Sequence, residues 1–390
     1  MRIGIPKETA DGERRVAMVP DVAKRLIAAG HEIVIEAGAG AQAAIPDARL
    51  TDAGATIGDP WGADVVAKVA PPNAEEIGRL GADTVLLGFL QPLNAGGPAK
   101  ALAQAGTTSF AMEAVPRISR AQSMDALSSQ STVGGYLAVL IAAQEMPRFF
   151  PMLMTAAGTI PPAQVLVLGA GVAGLQAIAT SRRLGAVVTA FDVRSAVKEQ
   201  INSLGAKFFE VEGLGDAEGE GGYARELTAE EQDRQRAALT VQMHKSDVII
   251  TTALIPGRPA PKLVSREAVE GMKPGSVVVD MAAEAGGNCE LSQPGETITT
   301  DNGVIIAAPL NLPSQMAEHA SQLYAKNIQS LLELMADKES GALNLDFEDD
   351  IIKGACITRD GTIVHEAAKA QAEAGDRPRS DGPSAEGSES

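Results

Sequence analysis

Gln164-Val-Leu-Val-Leu168 runs directly into Gly169-Ala-Gly171-Val-Ala-Gly174, and the chain continues as LQAIATSRRL to Gly185. The apolar run has the length of a buried strand, and the stretch after Gly174 reads as a helix closed by glycine. A GxGxxG spacing alone is weak evidence, but here it sits between a strand and a helix, where each glycine has a physical reason. Gly169 permits the tight turn, Gly171 lets a pyrophosphate approach the backbone, and Gly174 lets helix and strand pack closely. The helix N-terminus then offers unpaired N–H groups and partial positive charge to phosphate. A second strand, Ala186 to Phe191, ends in Asp192, 18 residues beyond Gly174 (192 − 174). An acid at that place binds the adenosine ribose hydroxyls and repels a 2′-phosphate. The pattern therefore predicts a Rossmann-type unit that takes NAD(H) over NADP(H). Arg194 is the feature that could instead accept a 2′-phosphate.

Outward from this turn, similar pieces recur. Arg2 to Pro6 reads as a short buried strand, and PDVAKRLIAAG from Pro20 as a helix with Val22, Leu26 and Ile27 at helical spacing. RRLGAVVTAFD (182–192) parallels KRLIAAGHEIVIE (24–36); SDVIITTALIPG (246–257) parallels ADVVAKVAPP (63–72); and GSVVVDMA (275–282) parallels ADTVLLGFL (82–90). Either the chain holds two domains of one plan, or all strand–helix units simply look alike. In both cases the fold class is α/β, with two Rossmann-like, doubly wound, mostly parallel sheet domains joined by bridging helices. The bridges are expected over Ser129–Glu145 and Ser314–Met335, the second with Leu323, Ile328, Leu331 and Met335 on one face. The expected domains are 1–128 with 320–369, then 129–319. Residues 370–390, rich in Ser, Gly, Pro and acids, are expected to form a disordered acidic tail.

Composition narrows the class. With 50 acids against 33 bases the net charge is −17, which disfavours nucleic acid as a partner. Two cysteines, Cys289 and Cys356, make neither a disulfide framework nor a zinc cage, so no metal is expected. The N-terminus lacks the apolar core of a signal peptide. The most apolar stretch, Gly134 to Ala143, is half the ~20 residues of a membrane span, so a soluble chain is expected.

The polar segment PRISRAQSMDALSSQS (116–131) reads by itself as a solvated loop or as a functional one. It closely resembles the loop beside the nicotinamide in the NAD(H)-binding component of proton-translocating NAD(P) transhydrogenases. The likeness continues in MTAAGTIPPAQVLVLGAGVAGLQAIATSRRLGA, TTALIPGRPAP, MKPGSVVVDMAAEAGGNCE and the opening IPKE…RRVAMVP, and covers nearly all of 1–369. It implies that Arg117, Gln122 and Asp125 hold the nicotinamide and its ribose, with Ser128 close by. Ile118, Ser119, Ser123 and Met124 would complete that wall. Val172 would lie over the pyrophosphate, Asp192, Val193 and Arg194 around the adenosine ribose, and Leu254 near the cofactor. The charged, Gly-rich stretch 213–237 looks like the family's mobile loop, with Tyr223 closing over nucleotide and Gly222 and Gln235 nearby; a plain surface insertion is the alternative.

The resemblance also implies partners: membrane-spanning and NADP(H)-binding subunits on other chains, a homodimer, and a cytoplasmic location peripheral to the inner membrane. Hydride would pass from NADH to NADP+ on the partner, so no proton need leave a substrate and no general base is expected. Alanine dehydrogenases are related and provide the competing reading. Arg15 and Lys68 fall where those enzymes grip a carboxylate, but Gln91 aligns with their catalytic His and Glu284 with an Asp. His31, His244, His319 and His365 lie elsewhere and read as surface or structural residues. A catalytically silent NAD-binding regulatory module is the third reading.

Overall fold

The computed structural model describes residues 1–94, 97–211, 228–255 and 257–375. Six parallel strands begin the first sheet: β1 (Arg2–Ile5), β2 (Glu32–Ile35), β3 (Thr56–Ile57), β4 (Val65–Ala67), β5 (Val85–Gly88) and β6 (Thr108–Ala111). β7 (Leu153–Thr155) and β8 (Gly158–Ile160) form a separate antiparallel ribbon. The second sheet contains β9 (Gln164–Leu168), β10 (Val187–Phe191), β11 (Lys207–Phe208), β12 (Val248–Thr251), β13 (Val277–Asp280), β14 (Thr297–Thr299) and β15 (Ile305–Ala307). β16 (Cys356–Arg359) and β17 (Thr362–Ile363) return to the first sheet, antiparallel to its edge.

The spatial orders are β17-β16-β6-β5-β4-β1-β2-β3 and β11-β10-β9-β12-β13-β15-β14. Set aside the antiparallel strands, and each sheet runs third, second, first, fourth, fifth, sixth: one doubly wound plan used twice. The paired sequence stretches occupy equivalent strands: β2 with β10, β4 with β12, β5 with β13. β12 and β13 are buried throughout, as strands covered on both faces by helices must be.

The first bridging helix is Ala126–Glu145, and it corrects two expectations. It starts earlier than Ser129 because the Asp125 carboxylate accepts from the Ser128 N–H and caps it. At 20 residues it also reaches the length and apolar composition of a membrane span, a test that a core helix passes equally. The count of ten apolar residues missed this because Ser, Gln and Thr fill its first two turns. Within the fold it packs on the helix Val172–Arg183, and a Cβ on Gly135 would lie 2.2 Å from the Ala173 carbonyl oxygen. The second bridging helix is Ala317–Met335, separated from a short helix at Leu312–Gln315 by Met316. Ile328, Leu331 and Met335 enter the first core, and Leu323 is half-buried.

Two further corrections concern segments expected to lack regular structure. The stretch expected as a loop to residue 237 is helical from Ala229 to Met243, because Thr228 and Glu231 form a reciprocal capping box. The tail expected from 370 begins inside a helix, Glu366–Gly375, whose Ala-rich composition favours it; its remainder lies outside the described residues. Both cysteines are free and buried, and burial pushes the Cys356 thiol up to about 12.

Candidate functional site

The glycine turn lies where β9 ends and the chain order reverses toward β12, the crevice in which doubly wound sheets bind ligands. Gly169 has φ +97°, open to glycine alone at no steric penalty, and a Cβ there would lie 2.6 Å from Thr252 Oγ1. A Cβ on Gly174 would lie 1.9 Å from the Gly169 carbonyl oxygen, so that glycine is required for helix to meet strand. Gly171 differs. Its φ is −72°, and a Cβ would meet nothing within 4 Å. Nothing inside the chain requires a glycine there, so the space it leaves fits an external group. The following helix, Val172–Arg183, has no side-chain cap, so its first N–H groups fit a phosphate.

Asp192 closes the turn from β10. Its Oδ2 accepts from the Ala170 N–H at 2.7 Å, and its two oxygens accept from the Arg194 N–H, Nε and Nη2 at 2.8–2.9 Å. The carboxylate is buried and tied to the turn, and Arg194 neutralises it at close range. Val193 is half-buried, while Val172 and Leu254 are exposed beside the turn, at 41% and 51%.

Several residues that sequence reasoning missed hold this site together. Thr252 donates to the Gly169 carbonyl at 3.1 Å, linking the ends of β9 and β12. Asn288, fully buried, accepts from the Ala253 N–H and donates to the Ala253 and Pro261 carbonyls, setting the turn that carries Leu254. Asp280 at the end of β13 accepts in turn from the Asn288 and Cys289 N–H groups and from Ser292 Oγ. Asp280, an acid ending an otherwise apolar strand, was a local signal for this scaffold.

The second group of predicted residues lies at the start of the first bridging helix. Ser119–Met124 is a 3-10 turn with Arg117, Ile118, Ser119, Gln122 and Ser123 exposed. Ala121 and Met124 instead enter the first core, so the Met124 side chain packs inward. Asp125 accepts from the Ser128 N–H and, at 2.6 Å, from Ser128 Oγ. The two groups are joined by the helix itself: Asp125 begins it, and Gly135, ten residues on, touches the glycine turn. At ~1.5 Å per residue that is about 15 Å. Gln235 is buried, its Oε1 without a hydrogen-bond partner. Gly222 and Tyr223 lie outside the described residues.

The residues aligned with a carboxylate grip are differently engaged. Lys68, buried, donates to Glu8 Oε2 at 3.1 Å and Glu76 Oε1 at 3.0 Å. Arg15 makes a two-point pair with Glu13 and donates to Gln130 and Asn311. Burial raises the Glu8 pKa against the pull of Lys68. Burial also acts upward on Glu13, but its bonds from Arg15 outweigh that and hold it below the usual value. The cavity lined by Glu8, Glu13, Arg15 and Ala39 is about 10 Å³, room for about one water. Gln91 and Glu284 are exposed; Gln91 sits at φ +48°, and Glu284 accepts from the Asn311 N–H. Among the described residues no three His, Cys, Asp or Glu side chains gather as a metal site would need.

Comparison with known proteins gives the family and the fold. Residues 4–134 match the family model Alanine dehydrogenase/PNT, N-terminal domain, and residues 138–366 the corresponding C-terminal domain. A Rhodospirillum rubrum chain named as the first part of NAD(P) transhydrogenase subunit alpha is 50% identical over 383 residues, covering 95% of this chain and all of that one. Alanine dehydrogenase of Mycobacterium tuberculosis is 36% identical over 302 residues, 75% of this chain and 76% of that one. Among solved structures, a transhydrogenase from Sinorhizobium meliloti superposes with a TM-score of 0.85 at 47% identity, over 93% of this chain and all of that chain.

Proposed function

The chain belongs to the alanine dehydrogenase/PNT family, and from that premise we propose that it is the NAD(H)-binding component of a proton-translocating transhydrogenase, passing hydride between NADH and NADP+ held on a partner subunit. The observation that carries this reading is the cradle at the end of β9. Gly171 faces open space beside an uncapped helix, and a buried acid, Asp192, is fixed at its rim.

Bound there, the dinucleotide supplies the hydride, and the chain's residues bind and orient it. Gly169, Gly171 and Gly174 admit the pyrophosphate under Val172, and Asp192, Val193 and Arg194 surround the adenosine ribose. At the reactive end Arg117, Gln122, Asp125 and Ser128 hold the nicotinamide, with Ile118, Ser119, Ser123 and the Met124 backbone as its wall. Leu254 lies beside the cofactor, and the resemblance adds Gly222, Tyr223 and Gln235 to the same binding site. Transfer between two nicotinamides releases no proton from a substrate, which agrees with Gln91 in place of a catalytic His and with Asp125 already holding Ser128. The amino-acid dehydrogenase reading is weakened by Lys68 and Arg15, both paired with the chain's own acids.

The designation of a relative as one portion of an alpha subunit supports membrane-spanning and NADP(H)-binding partners on other chains, and hence a peripheral place on the cytoplasmic face of the inner membrane. The β7–β8 ribbon supports a homodimer. From Phe149 to Gln164 the sequence carries no charge, and Phe149, Met152, Met154 and Ile160 are exposed at 44–76%. A two-stranded ribbon is marginal alone and needs a surface to cover it.

The purified chain should bind NADH more tightly than NADPH and oxidise no alanine. It should transfer hydride to an NADP+ analogue only after the NADP(H)-binding partner is added. In that assay Gln122→Asn should slow transfer by about tenfold or more, since misplacing reacting carbons by about 1 Å costs up to about a hundredfold, while NADH affinity stays within about twofold. Turnover of alanine, or equal losses in rate and affinity, would overturn the assignment.

A further inference from the structure

Asn327 lies on the second bridging helix, 202 positions beyond Asp125 (327 − 125), yet its side chain is built into the support of the predicted nicotinamide wall. It is 6% exposed, and both ends of its amide are engaged. Its Nδ2 donates to the Ser123 carbonyl at 2.9 Å, and its Oδ1 accepts from Ser129 Oγ at 2.7 Å. The first bond holds the end of the 119–124 turn; the second holds the first turn of the bridging helix. One side chain thus fixes the segments on either side of Asp125.

The arrangement extends in one direction of hydrogen-bond donation. Arg15 Nη1 donates to Gln130 Oε1 at 2.9 Å, Gln130 Nε2 to Ser129 Oγ at 3.3 Å, Ser129 to Asn327, and Asn327 to Ser123. Arg15 is itself held by Glu13 and Asn311. A part-buried network with its members satisfied makes a firm support. A second tie, the two-point pair of Arg120 with Asp349, grips the same turn from outside. Arg120 is about half exposed, so water and salt weaken that contact, and the buried amide dominates.

We propose that Asn327 is a positioning residue for hydride transfer, acting through the Ser123 carbonyl and Ser129 to set the orientation of Gln122 and Asp125. This rests on the placement of the nicotinamide against 117–128 proposed above. Asn327 touches no ligand in this scheme, so its removal acts on geometry rather than on binding.

The test compares Asn327→Leu, nearly isosteric but without hydrogen bonds, with Ser129→Ala, which removes one link at a half-buried site. Amide exchange of the free chain should speed up over 119–124 in Asn327→Leu, while the rest of the second bridging helix keeps its protection. With the NADP(H)-binding partner, NADH-to-NADP+ analogue transfer should fall by about tenfold or more in Asn327→Leu and less in Ser129→Ala, and NADH affinity should stay within about twofold. Unchanged exchange and rate in both variants overturn the proposal. So does a parallel loss of helix protection, NADH affinity and rate, which marks Asn327 as a packing residue alone. If the unaltered chain transfers no hydride with its partner, the functional reading fails instead, and the exchange data still decide whether Asn327 fixes the turn.

Discussion

The two sheets share one strand order, but their equivalent crevices are furnished in opposite ways. In the first sheet the chain order reverses between β1 and β4, and Glu8 and Lys68, just beyond those strands, meet there as a buried ion pair with Glu76 behind them. In the second sheet it reverses between β9 and β12, and the residues that follow are Gly169 and Thr252, leaving open space at Gly171. One crevice satisfies its polar groups from within; the other leaves N–H groups for something outside the chain. The same architecture therefore provides a structural core in one half and a candidate binding site in the other, and the difference rests on a few side chains.

Breaking the first crevice should damage the fold. Lys68→Ala leaves Glu8 and Glu76 buried without a counter-ion, and removing one partner from such a cluster costs about 3–5 kcal/mol. Urea unfolding should show that loss, with NADH affinity of the folded fraction little changed; undiminished stability would mean the cluster is not the plug described. Breaking the second crevice should damage binding. Asp192→Ala removes a charged acceptor worth about 1.5–3 kcal/mol, so NADH affinity should fall by about 10- to 100-fold. A fluorescence titration that gives the parent value would reject the rim assignment.

Gly171→Ala sharpens the contrast. Its backbone suits alanine, so the melting temperature should stay within about 2 °C, while NADH affinity drops by about tenfold as the methyl enters the phosphate space. Intact binding would place the pyrophosphate elsewhere. The smallest effect belongs to His31, buried on the first-domain side with Nδ1 unpartnered. Burial, then the nearby N-terminal amine, hold its pKa below the ordinary 6.5. The unfolded chain thus binds the proton more readily, and the stability contributed above about pH 6.5 is lost as pH falls through the folded value. His31→Asn should flatten that acid limb by less than about 1 kcal/mol; an unaltered pH profile would remove His31 from the account.

Only the second crevice was legible in the residues themselves. The glycine turn and Asp192 could be read because phosphate binding constrains neighbours in sequence: a strand, three glycines, a helix and an acid at fixed spacing. The parallel between 24–36 and 182–192 placed β2 and β10 in equivalent positions for a similar reason, as burial on both faces imposes apolar runs of strand length. The capping box at Thr228 and Glu231 was equally local, yet the charged composition around it masked the helix that begins there.

By itself, then, the sequence determined the fold class, the recurrence of similar strand and helix pieces and the glycine turn, since each follows from periodicity and short-range stereochemistry. Only the tertiary structure decided that Lys68 joins Glu8 and Glu76, that Asn288 sets the turn bearing Leu254, and that Asn327 supports Ser123. A buried polar atom must find a partner wherever the fold brings one, and that partner can stand hundreds of residues away, where no spacing rule reaches.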